Sequence, residues 1–424
     1  MSEIPESLRR RLNRPAAILG DAVSGRAVAA TLARHGFASV IYDEKGTNHV
    51  FGPEQIALHG LVVYSPGFAQ THPWMLVARR SGLPCYTELD FGSLLWTGPA
   101  IAITGTNGKT TLTEFLSFAF KRAGIDALAC GNVGLPLTAL SETQSNVSFT
   151  AVVEVSSFQA EDLRHFTPEA VLWTNFDEDH LDRHGDMEAY FRAKYKLIER
   201  MMPGGILVVG ESVVTAAQTF GIEIPEGAIV AKRTDEDLAV PAGSIFEAWP
   251  QRENWAIVVK YWRARGLADR YLEEAAKLFK AAPHRLRKVA EAQGIEYWND
   301  SKGTNFHAVQ AALQQFKIPV RWIGGGKWKG GNLQAFAERI APMITAAYLI
   351  GETSMELQQH FTNLGKPCRC YPSLQDAVVA AAKDAHAPTA ILLSPGFSSF
   401  DQFRGYAERG IVFERAATAL AHRT

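Results

Sequence analysis

Short apolar runs alternate with segments of helical periodicity along most of the chain. Three runs near the N-terminus predict strands, at 16–19, 38–43 and 61–64. Between the first two, residues 24–36 repeat their apolar positions at helical spacing, which predicts a crossover helix. Together they predict a small βαβ domain over residues 1–91, and residues 92–99 are interpreted as a crossing segment.

The alternation restarts near residue 100 and again near residue 283. The second set predicts strands at 100–104, 128–130, 150–155, 170–175 and 205–210 and helices at 110–123 and 187–201. The third set predicts strands at 295–301, 319–326, 345–351 and 389–396 and helices at 305–316 and 373–384. Because such alternation is typical of parallel sheets, we expect an α/β fold of three domains, at 1–91, 92–281 and 282–424.

Composition supports a globular enzyme and argues against several other classes. Hydrophobic residues make up 47% and charged residues 21%, and 43 Lys and Arg nearly balance 44 Asp and Glu, which gives no sign of a nucleic-acid or membrane partner. Residues 1–15 lack the apolar core of a signal peptide, and no apolar run approaches the roughly 18 residues of a membrane helix. We therefore expect a cytoplasmic protein. Its four cysteines show no zinc-site spacing, and Cys368 with Cys370 predicts a buried strand.

A glycine-containing loop follows the first predicted strand. Gly20 and Gly25 match the outer glycines of a dinucleotide fingerprint, and Asp43 ends the next strand, where an acidic residue would bind a ribose. However, Ala22 occupies the middle glycine position, and Asp21 puts a negative charge where a pyrophosphate would bind. A nicotinamide-dependent dehydrogenase therefore stays open as an alternative, although a structural unit or a site for another nucleotide is favoured.

A second loop, residues 103–111, joins a predicted strand to a helix and has the sequence ITGTNGKTT. It has the Gly-Lys-Thr end of a phosphate-binding P-loop, but Ile103 replaces the usual first glycine, and Gly105 is the nearest glycine upstream. Backbone N–H groups at a helix start bind phosphate oxygens, Lys109 can reach the β- and γ-phosphates, and the Thr110 hydroxyl can bind Mg²⁺. Gly-Lys-Thr-Thr at this junction disfavours the alternative of an ordinary strand-to-helix turn.

Acidic residues follow the neighbouring predicted strands. Glu154 lies in an apolar run typical of a central strand, where a carboxylate is costly unless it is paired or binds a metal. The next strand runs into a loop that carries Asp177, Glu178, Asp179, His180 and Asp182. We interpret this loop as a Mg²⁺ or substrate site that involves His180, with a solvated turn or a helix cap as alternatives. Lys194 and Lys196 follow on the predicted helix, where surface lysines are the default.

Three strands of the third unit end in polar loops. These are NDSKGTN at 299–305, GGGKWKGGN at 324–332 and SPGFSSFDQF at 394–403. Each signal is weak alone, because glycine-rich turns after strands are common. Together they put cations and hydroxyl groups at one sheet edge, which favours an anionic substrate.

These segments give the chain a resemblance to the ATP-dependent Mur ligases. The matching segments run in family order from residue 104 to residue 410: TGTNGKTT, GNVGLPL, EVSSFQAE, EDHLDRH, YFRAKYKLI, PHRLRKV, WNDSKGTN, GGKWKGGN and LLSPGFSSFDQFRGYAERG. TGTNGKTT is shared by Mur ligases and folylpolyglutamate synthetase, whereas NDSKGTN with LLSPGFSSFDQF points to the branch that adds D-glutamate. The resemblance implies a Rossmann-like N-terminal domain, a central P-loop ATPase-like domain with a mostly parallel sheet, and a C-terminal domain like a dinucleotide fold.

The resemblance also implies a reaction of peptidoglycan precursor synthesis. ATP would phosphorylate the carboxylate of UDP-N-acetylmuramoyl-L-alanine, and the amine of D-glutamate would then displace the phosphate. ATP and two Mg²⁺ ions are the expected cofactors, with a carbamylated lysine at Lys194. The expected partners are these small molecules, with no nucleic acid and no membrane, and the chain is expected to be a monomer.

The resemblance assigns roles residue by residue. ATP would be bound by Gly105, Thr106, Asn107, Gly108, Lys109, Thr110, Thr111, Asn254, Arg285 and Asp300. Mg²⁺ would be bound by Thr110, Glu154, His180 and the carbamylated Lys194. The UDP-linked acceptor would be bound by Ser24, Gly25, Asp43, Asn132 and Ser156, and D-glutamate by Lys302, Thr304, Lys329, Ser399 and Tyr406. The residues expected to act in catalysis are Lys109, His180, Lys194 and Lys302.

Some positions depart from the family pattern. Trp328 and Asn332 stand where aspartate is usual, and Tyr406 stands where phenylalanine is common. Residues 396–398 replace a run of small residues, and Ile257 stands where a second asparagine is common near adenine. Addition of L-glutamate or another amino acid, or use of a folate-like acceptor, therefore stays an alternative. A catalytically silent ATP-binding protein is a third alternative, which the complete set of expected catalytic residues disfavours.

Overall fold

The computed structural model describes residues 4–143, 149–232, 234, 239–247, 251–280 and 283–422. Within these residues the chain forms three separate β-sheets, and all pairings between their strands except one are parallel. Helices cover both faces of a parallel sheet, so its strands are apolar along their whole length, as the short runs in the sequence are. The predicted α/β fold with mostly parallel sheets is confirmed.

The first sheet has four strands: β1 (Ala16–Leu19), β2 (Ser39–Tyr42), β3 (Leu61–Tyr64) and β4 (Cys85–Thr87), in the order β2-β1-β3-β4. Its helices are α1 (Glu6–Arg9), α2 (Val23–Arg34), α3 (Pro53–Ile56), α4 (Pro73–Arg80) and α5 (Glu88–Leu95). The interpretation of residues 92–99 as a crossing segment is wrong for residues 92–95, which form the end of α5. The Thr87 side chain caps this helix by accepting a hydrogen bond from the Asp90 N–H, and Leu89, Phe91 and Leu95 are buried.

The second sheet has six strands: β5 (Ala100–Thr104), β6 (Ala127–Gly131), β7 (Thr150–Glu154), β8 (Ala170–Trp173), β9 (Ile206–Gly210) and β10 (Ile229–Ala231), in the order β10-β9-β8-β5-β7-β6. The helices along this part of the chain are α6 (Lys109–Arg122), α7 (Leu137–Thr143), α8 (Ser157–Ala160), α9 (Leu181–His184), α10 (Met187–Glu199), α11 (Glu211–Thr219), α12 (Gln251–Ala264) and α13 (Asp269–Leu278). Because β5 lies between β7 and β8, the loop that follows it has a strand end on each side.

The third sheet also has six strands: β11 (Arg287–Ala292), β12 (Ile295–Asn299), β13 (Val320–Gly324), β14 (Ala346–Leu349), β15 (Cys368–Cys370) and β16 (Thr389–Leu393), in the order β11-β12-β16-β13-β14-β15. Its helices are α14 (Phe306–Leu313), α15 (Leu333–Ile340), α16 (Ser354–Asn363), α17 (Leu374–Lys383) and α18 (Tyr406–Ala421). β11 is the antiparallel exception, and it turns into β12 through Gln293 and Gly294, which both have positive φ (50° and 75°). The predicted strand at Cys368 and Cys370 exists, but both thiols are free and only half-buried, because β15 lies at the sheet edge.

The chain forms two compact units. The first contains Met1–Phe176, Glu188–Ser244 and Glu253–Phe279 and holds the first two sheets, and the second contains Asp177–Met187, Ile245–Arg252 and Lys280–Thr424 and holds the third. The predicted domain boundaries after residues 91 and 281 stay predictions. In the described part of the chain, no helix combines the length and the apolar character needed to cross a membrane.

Candidate active site

The loop between β5 and α6 is shaped by two glycines. Gly105 and Gly108 both have positive φ, at 146° and 84°. A Cβ atom at Gly105 would collide with the Thr174 hydroxyl, and one at Gly108 would collide with the side chain of Asn254. Both positions therefore require glycine, and the buried amide of Asn254 lies directly against the loop.

Two residues at the end of β8 hold this loop in place. The Asn175 side chain accepts a hydrogen bond from the Asn107 N–H at 2.9 Å and donates one to the Asn107 carbonyl at 3.2 Å. The Thr174 hydroxyl donates to the same carbonyl at 2.6 Å, and the Asn175 carbonyl accepts from the Thr106 N–H at 3.0 Å. Sequence analysis did not predict these hydrogen bonds to the phosphate loop. Their only signal in the sequence is the polar Thr174-Asn175 pair that follows an apolar strand.

Lys109 and the two threonines after it open α6. The Lys109 ammonium donates to the carbonyls of Gly105 at 2.8 Å and Thr106 at 2.7 Å, so it lies over the loop. Thr110 and Thr111 are buried, and the Thr111 hydroxyl has no hydrogen-bond partner among the described residues. The loop therefore presents a cation and hydroxyl groups at a helix N-terminus, which suits phosphate groups.

Glu154 ends β7 at the same sheet edge as the loop. It pairs in register with Ile103 of β5, is 2% exposed, and accepts a hydrogen bond from the Asn132 amide at 2.7 Å through Oε1. Its Oε2 is buried and has no hydrogen-bond partner among the described residues. An unpartnered buried carboxylate oxygen is costly, and it fits a metal cation. Ser156, two residues later, caps α8 through a reciprocal pair of hydrogen bonds with Gln159.

Lys194 reaches the phosphate loop from α10. It is 1% exposed, donates to the Gly105 carbonyl at 2.8 Å and lies 4.8 Å from the centre of the Tyr190 ring. The structure thus brings Lys194 and Lys109 to the same carbonyl oxygen. Of the predicted metal ligands, Thr110, Glu154 and Lys194 lie in the first compact unit and His180 lies in the second. In the described part of the chain, no three His, Cys, Asp or Glu side chains are grouped as a metal site.

The loop after β1 carries its own charge pair. Arg26 donates to Asp21 at 2.8 Å, and this hydrogen bond lowers the pKa of the Asp21 carboxyl. The Asp21 N–H donates to Asp43 at 3.0 Å, so the ends of β1 and β2 are tied together. A Cβ atom at Gly25 would collide with the Gly20 carbonyl, and Ser24 is half-buried in the first turn of α2. Ser24, Gly25 and Asp43 are thus brought to one loop, where the negative charge of Asp21 is paired with Arg26.

Arg285 lies two residues before β11 of the third sheet. Its Nε and Nη2 atoms are buried and have no hydrogen-bond partner among the described residues. Its neighbours His284 and Leu286 both have positive φ, at 65° and 36°. Asp300 accepts hydrogen bonds from the Leu286 N–H at 3.1 Å and the Ser394 hydroxyl at 2.7 Å, and burial raises the pKa of Asp300 to about 7. The guanidinium fits an anion, whereas Asp300 holds the Arg285 loop to the sheet.

A buried ion pair joins the acidic loop to the loop after β13. Lys329 donates to Asp179 at 2.6 Å, and Asn305 donates to the same carboxylate at 3.2 Å. Burial alone would raise the pKa of Asp179, but the Lys329 ammonium and His180 lower it well below its usual range. His180 has a positive φ of 56°, and its Nε2 lies 3.6 Å from Asp179. The pocket at this place is lined by Glu178, Asp179, Leu181, Thr304, Asn305, Phe306, Lys329, Gly330, Gly396 and Phe397.

Lys302 and Tyr406 form a second contact among the predicted D-glutamate residues. The Lys302 ammonium donates to the Tyr406 hydroxyl at 3.2 Å and lies 4.5 Å from its ring centre. Ser399 is buried, and Trp328 is 51% exposed. Asn332 caps α15 by accepting a hydrogen bond from the Ala335 N–H at 2.9 Å, a role that asparagine and aspartate can both fill.

Arg409 is a further residue that sequence reasoning missed. Its buried guanidinium donates to the carbonyls of Ser301 at 2.9 Å and Phe397 at 3.2 Å, and so ties two of the site loops together. Burial lowers its pKa to about 10. A single arginine in a helix gives no sign in the sequence of such a role.

The chain matches known families and proteins over most of its length. Residues 103–223 match the Mur ligase middle domain, and residues 284–397 match the Mur ligase glutamate ligase domain. The chain is 30% identical over 440 residues to UDP-N-acetylmuramoylalanine--D-glutamate ligase of Desulfatibacillum aliphaticivorans, covering 95% of this chain and 97% of that protein. The chain belongs to the Mur ligase family. A protein of the same name from Trichlorobacter lovleyi is 34% identical, with 85% of this chain and 84% of that protein covered.

Solved structures of Mur ligases share the fold. MurF from Acinetobacter baumannii aligns with a TM-score of 0.64 at 13% identity, covering 97% of this chain and 99% of that one. MurC from Thermotoga maritima gives a TM-score of 0.60 at 14% identity, with the same shares covered. MurF from Thermotoga maritima, solved in complex with ADP, gives 0.60 at 16% identity and covers 90% of this chain and 96% of that one. At these identities the likeness establishes the Mur ligase fold alone.

Proposed function

We propose that this Mur ligase is ATP-dependent and joins D-glutamate to UDP-N-acetylmuramoyl-L-alanine through an acyl phosphate, in peptidoglycan precursor synthesis. The observation that carries the proposal is the 30% identity over 95% of the chain to a relative named for this reaction. Residues 1–91 would bind the UDP part of the acceptor, 92–281 would bind ATP, and 282–424 would bind the amino acid. We also propose that the protein is cytoplasmic and monomeric.

The phosphate loop would bind ATP through its main-chain N–H groups and Lys109. Phosphoryl transfer to a carboxylate brings two anions together, and like charges about 4 Å apart repel by about 4 kcal/mol at an effective dielectric constant of 20. A cation at the transferred group offsets this repulsion. Lys109 would supply this cation, because nucleotide phosphates can replace the two loop carbonyls that its ammonium contacts. Arg285 would add a second cation from the third sheet.

The residues near the loop fit a bound Mg²⁺, which would supply positive charge to the phosphates and the acceptor carboxylate. Glu154 supports this assignment, because its buried Oε2 has no hydrogen-bond partner among the described residues. Thr110, His180 and a carbamylated Lys194 would complete the ligands. Lys194 is 1% exposed and contacts the Gly105 carbonyl, so a carbamate on its nitrogen would put a negative charge beside the phosphate loop.

The amino acid would bind among the third-sheet loops. Lys302 and Tyr406 form one polar contact, and Thr304 and Lys329 line one pocket. The amine of D-glutamate must be neutral to attack the acyl phosphate, and the carboxylates Glu178 and Asp179 also line this pocket.

The test measures phosphate release from ATP in the presence of UDP-N-acetylmuramoyl-L-alanine and one amino acid at a time. We expect release with D-glutamate and none with L-glutamate. Release only with L-glutamate would favour the alternative ligase, and no release with either would overturn the proposal.

A pair of lysine variants tests the phosphate loop. Lys109→Ala should lower kcat by at least about 100-fold, because it removes charge from the transferred phosphate. Lys121→Ala, an exposed lysine in the last turn of the same helix, is the matched control and should retain activity. Equal activities of the two variants would contradict the loop assignment.

A further inference from the structure

Asp162 connects the segment after α8 to the first sheet. Its side chain is 16% exposed and accepts hydrogen bonds from three residues: Tyr64 of β3, Gln70 of the loop that follows, and Arg79 of α4. Tyr64 donates at 2.5 Å, Arg79 donates to both oxygens at 2.9 and 3.0 Å, and the Gln70 amide donates to the same carboxylate. Charge-assisted hydrogen bonds of this kind are the stronger ones. Burial and the carboxylate raise the pKa of Tyr64, so its phenol remains a donor.

The two sides of this cluster lead to the two halves of the proposed acceptor site. On one side, Tyr64 ends β3 and pairs in register with Leu19, the residue before Gly20 in the proposed UDP loop. On the other side, α8 is capped by Ser156, and Asp162 lies two residues beyond the end of this helix. Both halves belong to the first compact unit.

The main chain next to Asp162 is held separately. Asp90 in α5 accepts hydrogen bonds from the N–H groups of Arg164, His165 and Phe166, at 2.8, 3.0 and 3.1 Å. Replacing the Asp162 carboxylate therefore leaves the Asp90 hydrogen bonds to residues 164–166 in place. It weakens only the contacts that Tyr64, Gln70 and Arg79 make with residue 162. This makes Asp162 a suitable position for substitution.

We propose that Asp162 is a positioning residue that sets the separation between the UDP loop after β1 and the acceptor site at Asn132 and Ser156, so that a UDP-linked acceptor of one length contacts both. This inference rests on the proposed function. When one ligand bridges two sites held at the right separation, its second contact is intramolecular and gains affinity. A ligand confined to one site gains nothing from that separation. Affinity for the intact acceptor should thus depend on Asp162, whereas affinity for its parts should not.

The test compares Asp162→Asn with the wild type by calorimetry and steady-state kinetics. The probes are UDP-N-acetylmuramoyl-L-alanine, UDP alone and N-acetylmuramoyl-L-alanine. We expect Kd and KM for the intact acceptor to rise roughly 10-fold, a modest part of the gain that linked contacts give. Kd for UDP, Kd for the sugar part, KM for ATP and kcat at saturating acceptor should stay unchanged.

Glu169→Gln is the matched control. Glu169 is similarly half-buried, pairs with Arg265 at 2.6 Å and precedes β8, at the sheet edge opposite the phosphate loop. It should change none of these quantities. Tyr64→Phe combined with Arg79→Met removes two of the three donors from the other side and should reproduce the effect, which keeps the test valid if Asp162→Asn does not fold.

The outcomes separate the two proposals. If the wild type turns over the acceptor and Asp162→Asn binds the intact acceptor with the wild-type Kd, this inference alone is overturned. Equal losses for UDP and for the intact acceptor also overturn it, because they indicate local damage rather than a changed separation. A wild type that does not turn over the acceptor overturns the proposed function.

Discussion

The buried carboxyl group of Asp300 should make the stability of the third sheet depend on pH. Burial raises its pKa to about 7 from an ordinary value of 3.8. Below about pH 4 the group is protonated in both the folded and the unfolded chain, so the shift costs nothing. As the pH rises, the unfolded chain loses the proton first, and the folded state loses stability until the pH passes the folded pKa.

The size of the effect follows from the shift. About 3 pKa units at about 1.4 kcal/mol each give a cost of about 4 kcal/mol above pH 7. About 3 kcal/mol of this cost develops between pH 5 and pH 8. Asp300→Asn removes the ionisation and keeps an oxygen that can accept the hydrogen bond of the Leu286 N–H. The free energy of unfolding of the variant minus that of the wild type should therefore rise by about 3 kcal/mol from pH 5 to pH 8.

Urea unfolding followed by circular dichroism and tryptophan fluorescence, repeated across this pH range, measures the difference. Asp376→Asn is the control, because this carboxylate is exposed in the first turn of α17. Its difference from the wild type should stay constant with pH. A pH-independent difference for Asp300→Asn would refute the reasoning.

Three further substitutions test other parts of the site. Gly108→Ala should weaken ATP binding at least about 10-fold, since a left-handed alanine costs about 1–2 kcal/mol and its methyl group would collide with the buried amide of Asn254. The control is Gly124→Ala, which is also at positive φ but faces open space and should leave the Kd of a fluorescent ATP analogue unchanged. Equal effects of the two variants on this Kd would contradict the account. Asn175→Ala should raise KM for ATP roughly 10-fold, because the phosphate loop loses hydrogen bonds worth about 1 kcal/mol each. An unchanged KM would show that ATP binding does not depend on the hydrogen bonds between Asn175 and Asn107. Lys329→Met leaves Asp179 buried without its cation and should lower the free energy of unfolding by about 3–5 kcal/mol; urea unfolding at neutral pH measures this, and wild-type stability would disprove the role of the ion pair.

The parts of the fold that the sequence predicts are those with a local signal. β1, β5 and β16 are apolar runs buried at every position, so they could be recognised without knowing their neighbours. β11 could not, because three of its six residues are charged and exposed, its polar and apolar positions do not alternate, and only its pairing with β12 makes it a strand.

The same distinction holds for the site. Lys109 and Thr110 follow a glycine-rich turn, so their neighbours in sequence already indicate phosphate binding. Asn175 acts on a residue 68 positions away and Arg409 on one 108 positions away, and such contacts arise only when strand ends and loops are brought together by the fold. Their residue types fit many surface or helical roles equally well.

The short strands at the sheet edges have a consequence for the chain while it folds. Each sheet has one edge strand of three residues, namely β4, β10 and β15. The longer edge strand β11 is interrupted by a bulge between Lys288 and Ala290 and carries exposed charged residues. Parallel sheets form slowly, because their strands are distant in sequence, so partly folded chains expose such edges for longer. At these four edges, the short strands and the bulged, charged β11 give a second copy little to pair with, which should limit aggregation through them during synthesis.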